Sequence, residues 1–229
     1  MPVFQAFINP LGFPEIDLDS SKSATPSAEQ LLDYLLCPQL DRGRDTLVER
    51  YREINDVSAS LPIVPAEENI LQKLIWPLRN AKSSYMLGNY LGCIALCGMV
   101  GEMVAILLWD ISKLALQGKL LEKTMQEALL GSSFEKLGQE RRTQVLRVLG
   151  LIGDEDVSAF DGLRLIRRRY LHFFSQPHRD VTTDAKEAFK SAVKVVTTVL
   201  GLSLGSDGVS IRPDLMGYLK ERSVIGPEG

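Results

Sequence analysis

The sequence predicts an all-α protein: a helical bundle with a helical N-terminal extension. Three observations carry that expectation. Apolar residues recur at helical spacing from Ala66 onward, as in Ile70, Leu71, Leu74, Ile75 and Leu78. One stretch, Leu91 to Ile111, is apolar almost all round, which marks the most buried helix of a bundle. No segment alternates apolar and polar residues for long enough to build a sheet. The 229 residues are 45% hydrophobic and 24% charged, ordinary values for a globular chain with a real core.

The elements follow in order. Residues 1–27 are rich in Pro, Ser and Asp, show no sustained period, and read as an arm or loosely docked leader. A short helix is expected over Ala28–Cys37, stopped by Pro38, and a more polar one over Arg44–Asn55. The two prolines of Ser58–Pro65 mark a boundary, because neither fits a helix interior. The helix beginning near Ala66 should kink or split at Pro77. After Gly88 comes the long apolar helix, Asn89–Gln117, then shorter helices over Leu120–Leu130 and Phe134–Leu149. Asp154, Glu155 and Asp156 favour a helix N-terminus, and that helix should run to Phe174 before Pro177. The last major helix is expected to start near Asp184, with Glu187 three residues on in a capping-box-like arrangement. Its stripe is Ala185, Ala188, Phe189, Ala192, Val196, Val199 and Leu200. A Gly-rich end follows, with one short helix near Asp214–Arg222. The chain thus divides into an arm with short helices (1–64), a bundle (65–204) and a C-terminal tail (205–229).

Composition excludes several classes of chemistry. A formal net charge of −3 excludes a polycation that coats nucleic acid by bulk charge, so any polyanion site must be a local patch. The chain holds only 3 cysteines and 2 histidines. Cys37, Cys93 and Cys97 are distributed wrongly for a structural zinc site, and Cys93 and Cys97 read as core thiols. Asp154–Asp156 lacks the convergent oxygens of a metal site. There is no Walker A motif and no Gly-x-Gly-x-x-Gly, so no cofactor is expected. Gly201-Leu202-Ser203-Leu204-Gly205 has the form of a nucleophile elbow, but it follows a helix and both histidines precede it, so it reads as a helix C-terminus. Met1–Leu18 lacks the basic start of a signal peptide. The apolar run reaches membrane-spanning length but carries Glu102 near its middle and has no basic flank, which favours a buried helix over a span. With few cysteines and no glycosylation sequon, the expected location is the cytoplasm.

The informative segment is Leu163–Asp180, LRLIRRRYLHFFSQPHRD, which sets Arg164, Arg167, Arg168 and Arg169 beside His172 and His178. At about 100° per residue, Phe160, Leu163, Ile166, Tyr170 and Phe174 share a core face, and Arg167 lies close to it. Arg168 and His172 lie together on the opposite side, flanked by Leu165 and Phe173. Such a mixed outward face suits a homodimer contact. It also fits a plain solvated basic face. The functional reading is a phosphate site, since guanidinium groups clamp phosphate bidentately and imidazole moves a proton near neutrality. Glu102, a carboxylate in so apolar a helix, needs a partner, and Arg167 is the candidate.

Arg167-x4-His172 resembles the Arg-x4-6-His motif of HEPN domains. The segment RRRYLHFFSQPHRDVTTDAKEAFKSAVKVV is similar to the motif helix, loop and last helix of a bacterial HEPN-like family, and AKSSYMLGNYLGCIALCGMVGEMVAIL to its first helices. The resemblance covers Pro65–Leu204. It implies a helical bundle that often dimerises with the two motifs facing each other, and whose active members cleave RNA without metal. His172 would then be the general acid or base, and Arg167 would stabilise the phosphorane-like transition state. Arg164, Arg168 and Arg169 would hold flanking phosphates. Ribonucleases of the family often carry Asn or another small polar residue after the motif arginine, where this chain has Arg168. The expectation is therefore a non-catalytic module of a bacterial stress or defence system that binds RNA, a nucleotide or a protein partner such as an antitoxin. The alternatives are a metal-independent ribonuclease leaving 2′,3′-cyclic phosphate ends, and a helical interaction module with no nucleic-acid role.

Overall fold

The computed structural model describes residues 43–58, 61, 64–65, 67–115, 127, 130–171, 180–201, 203–205, 208–210 and 212–224. The helix expected over Ala28–Cys37, most of that over Leu120–Leu130, and both histidines lie outside these residues. What is described is helical apart from one small hairpin.

Helix α1, Arg44–Ser58, buries Ile54 completely and rests on α3 (Trp76–Met86) and α7 (Val181–Leu200). The chain re-enters helix at α2, Glu68–Ile70, where the Glu67 carboxylate accepts the Ile70 N–H at 2.8 Å. The break expected at Pro77 takes the form of a π turn, Leu71–Ile75, leading into α3. Proline has no N–H to continue the ladder, and its ring crowds the preceding turn. The helix widens, so that the Trp76 N–H reaches the Leu71 carbonyl five residues back. Gly88 then turns the chain with φ of 80°. Asn89 caps the next helix by accepting the Gly92 N–H at 3.0 Å.

That helix, α4 (Tyr90–Ala115), is the centre of the bundle. Its most extensive contact is with α7, and α3, α6 (Asp154–Leu171), α5 (Gln139–Val148) and α8 (Pro213–Val224) also lie against it. Cys93 and Cys97 are fully buried, and burial pushes the Cys97 thiol well up from its ordinary value. Among the described residues Tyr90–Ser112 is the one stretch long and apolar enough to cross a membrane. Half of that stretch is buried against other helices, while Leu91 and Met99 are exposed.

Three boundaries differ from those read in the sequence. The helix expected from Phe134 begins at Gln139. A single 3-10 turn, Phe134–Lys136, precedes it, and Ser133, Leu137 and Gly138 are extended. Buried Arg142 explains the break, because its guanidinium donates to the carbonyls of Phe134 and Glu135 and so replaces helical partners for them. The last major helix starts at Val181, not near Asp184. Asp180 is its N-cap, in a left-handed conformation (φ 44°), and accepts from the Thr183 N–H at 3.4 Å. After Gly201 closes α7 in a left-handed turn, β1 (Ser203–Gly205) pairs antiparallel with β2 (Gly208–Ser210). The Gly-x-Ser-x-Gly segment therefore follows a helix, as expected, but forms a hairpin strand rather than a plain tail. The hairpin spans the expected boundary between residues 204 and 205. Helix α8 returns to α4 and buries Leu215.

Candidate functional site

The site is built where α6 crosses α4 and meets the start of α5. On α6, Phe160, Leu163 and Tyr170 are buried, as their spacing requires. Arg164, Arg167 and Arg168 stand three and four residues apart and so share one flank of the helix. All three line a cleft of about 250 Å³ with Glu102 of α4 and with Gly138, Gln139 and Glu140 at the start of α5. Arg168 is exposed on its rim.

Glycines let the helices meet this closely. A Cβ on Gly98 would lie 2.5 Å from Cδ of Arg167, so the arginine stem runs directly over the α4 backbone. A Cβ on Gly101 would lie 2.8 Å from Leu163 Cδ1. Seated on Gly98, Arg167 donates through Nη1 to Oε1 of Glu102, the partner that a carboxylate in the middle of so apolar a helix demands. Both side chains are 29% exposed, so the pair opens on the cleft and is not sealed into the core.

The other arginines are held differently. Arg164 lies 3.1 Å from Glu140 and 3.3 Å from Asp161, between two carboxylates. Arg169 faces away from the cleft. Its Nη1 donates to Asp184 in the first turn of α7 at 2.5 Å, and Tyr170 donates to the same oxygen at 2.6 Å. The nearby Asp184 carboxylate raises the Arg169 guanidinium further. Burial, reinforced by that carboxylate, pushes Tyr170 up to about 12. Of the six residues singled out in the sequence, the structure brings Glu102, Arg164, Arg167 and Arg168 together and sets Arg169 apart. His172 lies outside the described residues.

Two contributors were not foreseen. Gly138 offers α5 no side-chain cap, and it lines the cleft together with the first residues of that helix. The only signal for this was the glycine itself. Gln139 places its Nε2 in a buried position with no hydrogen-bond partner among the described residues. Nothing in the sequence marks that amide. Three guanidiniums, the N-terminus of α5 and the carboxylates of Glu102 and Glu140 thus line one cleft. Among the described residues no cluster of His, Cys, Asp and Glu is arranged to hold a metal. A larger cavity of about 470 Å³ lies along α5 beside Leu137, Arg141 and Val145 and lacks such convergent donors. Comparisons of this chain with protein-family models, with curated proteins and with solved structures find no match.

Proposed function

We propose that this chain is a HEPN-like, non-catalytic module that binds RNA or a nucleotide through phosphate in the cleft between α4, α5 and α6. The observation that carries the reading is the convergence of Arg164, Arg167 and Arg168 on the uncapped N-terminus of α5. Guanidinium groups and helix N-terminal amides both bind phosphate, and here three arginines and the first residues of a helix line one space. The non-catalytic part of the reading rests on Arg168, which stands where ribonucleases of the family often carry Asn or another small polar residue. Leu165 at 53% exposure and Leu171, also exposed, lie on the outward side of α6, in keeping with a second copy docking along the motif helix.

The test is binding of a short fluorescein-labelled single-stranded RNA, followed by anisotropy over a salt series with EDTA present. Two or three phosphate contacts give a log–log salt slope of about −1.4 to −2. Arg168→Gln should reduce that slope by about 0.7 and weaken binding to all sequences alike. No binding at low salt overturns the proposal. Cleavage leaving 2′,3′-cyclic phosphate ends, abolished by His172→Ala, overturns its non-catalytic part in favour of the ribonuclease alternative.

A further inference from the structure

We propose that Glu102 is a resident anion of the cleft, and that an incoming phosphate gains the guanidinium of Arg167 only by displacing it. The inference rests on the phosphate-binding reading above and concerns how that site is regulated. Among the guanidiniums at the cleft, Arg164 is gripped by two carboxylates, whereas among the described residues Arg167 forms its ion pair with Glu102 alone. Glu102 and Arg167 are equally exposed, so a ligand reaches both from the open side. The arginine stem is fixed across Gly98, where no side chain separates it from α4. The guanidinium can therefore change partners by its terminal torsions, without a shift of the helices. Gln139 lines the same cleft as the pair, and its buried amide nitrogen has no acceptor among the described residues. A phosphate oxygen that replaced the Glu102 carboxylate would give Arg167 a new acceptor.

Glu102 is thus both the scaffold that parks Arg167 and its competitor for ligand. A negative charge a few ångströms from a bound phosphate opposes binding by an amount on the order of tenfold in affinity at a partly solvated site. Removing the charge while keeping the shape should release that factor.

The experiment measures affinity of wild type, Glu102→Gln and Glu102→Asp for a short labelled single-stranded RNA, with inorganic phosphate as competitor and thermal melts as a folding check. Glu102→Gln should bind about tenfold more tightly. Glu102→Asp, which withdraws the carboxylate by one methylene and keeps its charge, should gain less. Phosphate should compete better against RNA on Glu102→Gln than on wild type. Adding Arg167→Gln to Glu102→Gln should abolish the gain. If wild type binds and Glu102→Gln binds equally or more weakly, Glu102 only positions Arg167; the resident-anion proposal fails while the phosphate site stands. If no form binds RNA or phosphate, both proposals fail. If neither Glu102 variant folds, the pair is structural and the resident-anion proposal is overturned.

Discussion

Gly98→Ala isolates the close approach of α6 to α4. Alanine is favoured over glycine inside a helix by about 1 kcal/mol, so on helix propensity alone the variant would gain stability. The site decides otherwise. The new Cβ would lie 2.5 Å from Cδ, 3.3 Å from Cγ and 3.4 Å from Cβ of Arg167. The clash falls on the middle of the stem, which cannot swing aside at its tip, so α6 must retreat or Arg167 must leave Glu102. Overpacking of this kind costs about 1–3 kcal/mol, and loosening a half-buried ion pair adds about 1 kcal/mol. The net expectation is a loss of about 1–3 kcal/mol, or roughly 2–12 °C in melting temperature for a chain of this size. Gly162→Ala is the internal control. It lies inside α6, and its Cβ would meet only Ser191 Oγ at an ordinary 3.6 Å, so it should gain about 0.5–1 kcal/mol. Circular-dichroism melts of the two variants provide the comparison. If Gly98→Ala is as stable as Gly162→Ala, the helices do not cross as closely as described and the seat of Arg167 is wrong.

Two further outcomes follow from named contacts. A double-mutant cycle of Glu102→Gln and Arg167→Gln by urea unfolding should give a coupling of about 1 kcal/mol, between the values for exposed and buried pairs; additive effects would mean that the pair is not formed. Tyr170 has its hydroxyl pushed up to about 12, so its contribution to stability is complete below its ordinary pKa of 10.0 and is lost as pH rises from there toward 12. Tyr170→Phe should therefore flatten the fall in stability over that interval, and an unchanged alkaline slope would show that its bond to Asp184 does not hold the two helices together.

The helices were legible because their apolar residues repeat with the helical period and because Pro77, Gly88 and Gly201 punctuate them. The Glu102–Arg167 pair was legible for a different reason: a carboxylate in the middle of a strongly apolar helix must find a cation, and only one arginine leaned toward the core. The boundaries at Gln139 and Val181 were not, since they depend on what distant side chains do. Arg142 draws away the carbonyls before α5. Asp184, which resembled a cap in sequence, instead binds Arg169 and Tyr170. The split of the arginine cluster into a cleft-lining set and an outlying Arg169 also escaped the sequence. Neighbours in a run of arginines look alike until the packing of α6 against α4, α5 and α7 sets Arg164, Arg167 and Arg169 on different carboxylates. The role of Gly98 left only a faint trace, a glycine in the middle of an apolar helix.

The most direct measurement on the phosphate cleft is an NMR titration that follows the arginine Nε–Hε resonances as single-stranded RNA is added. Phosphate entering between α4, α5 and α6 should shift Arg167 and Arg168 together, with the side-chain amide of Gln139 moving at the same RNA concentration and Arg169 unaffected. Shifts confined to Arg169, or binding that leaves Arg167, Arg168 and Gln139 unchanged, would contradict the account.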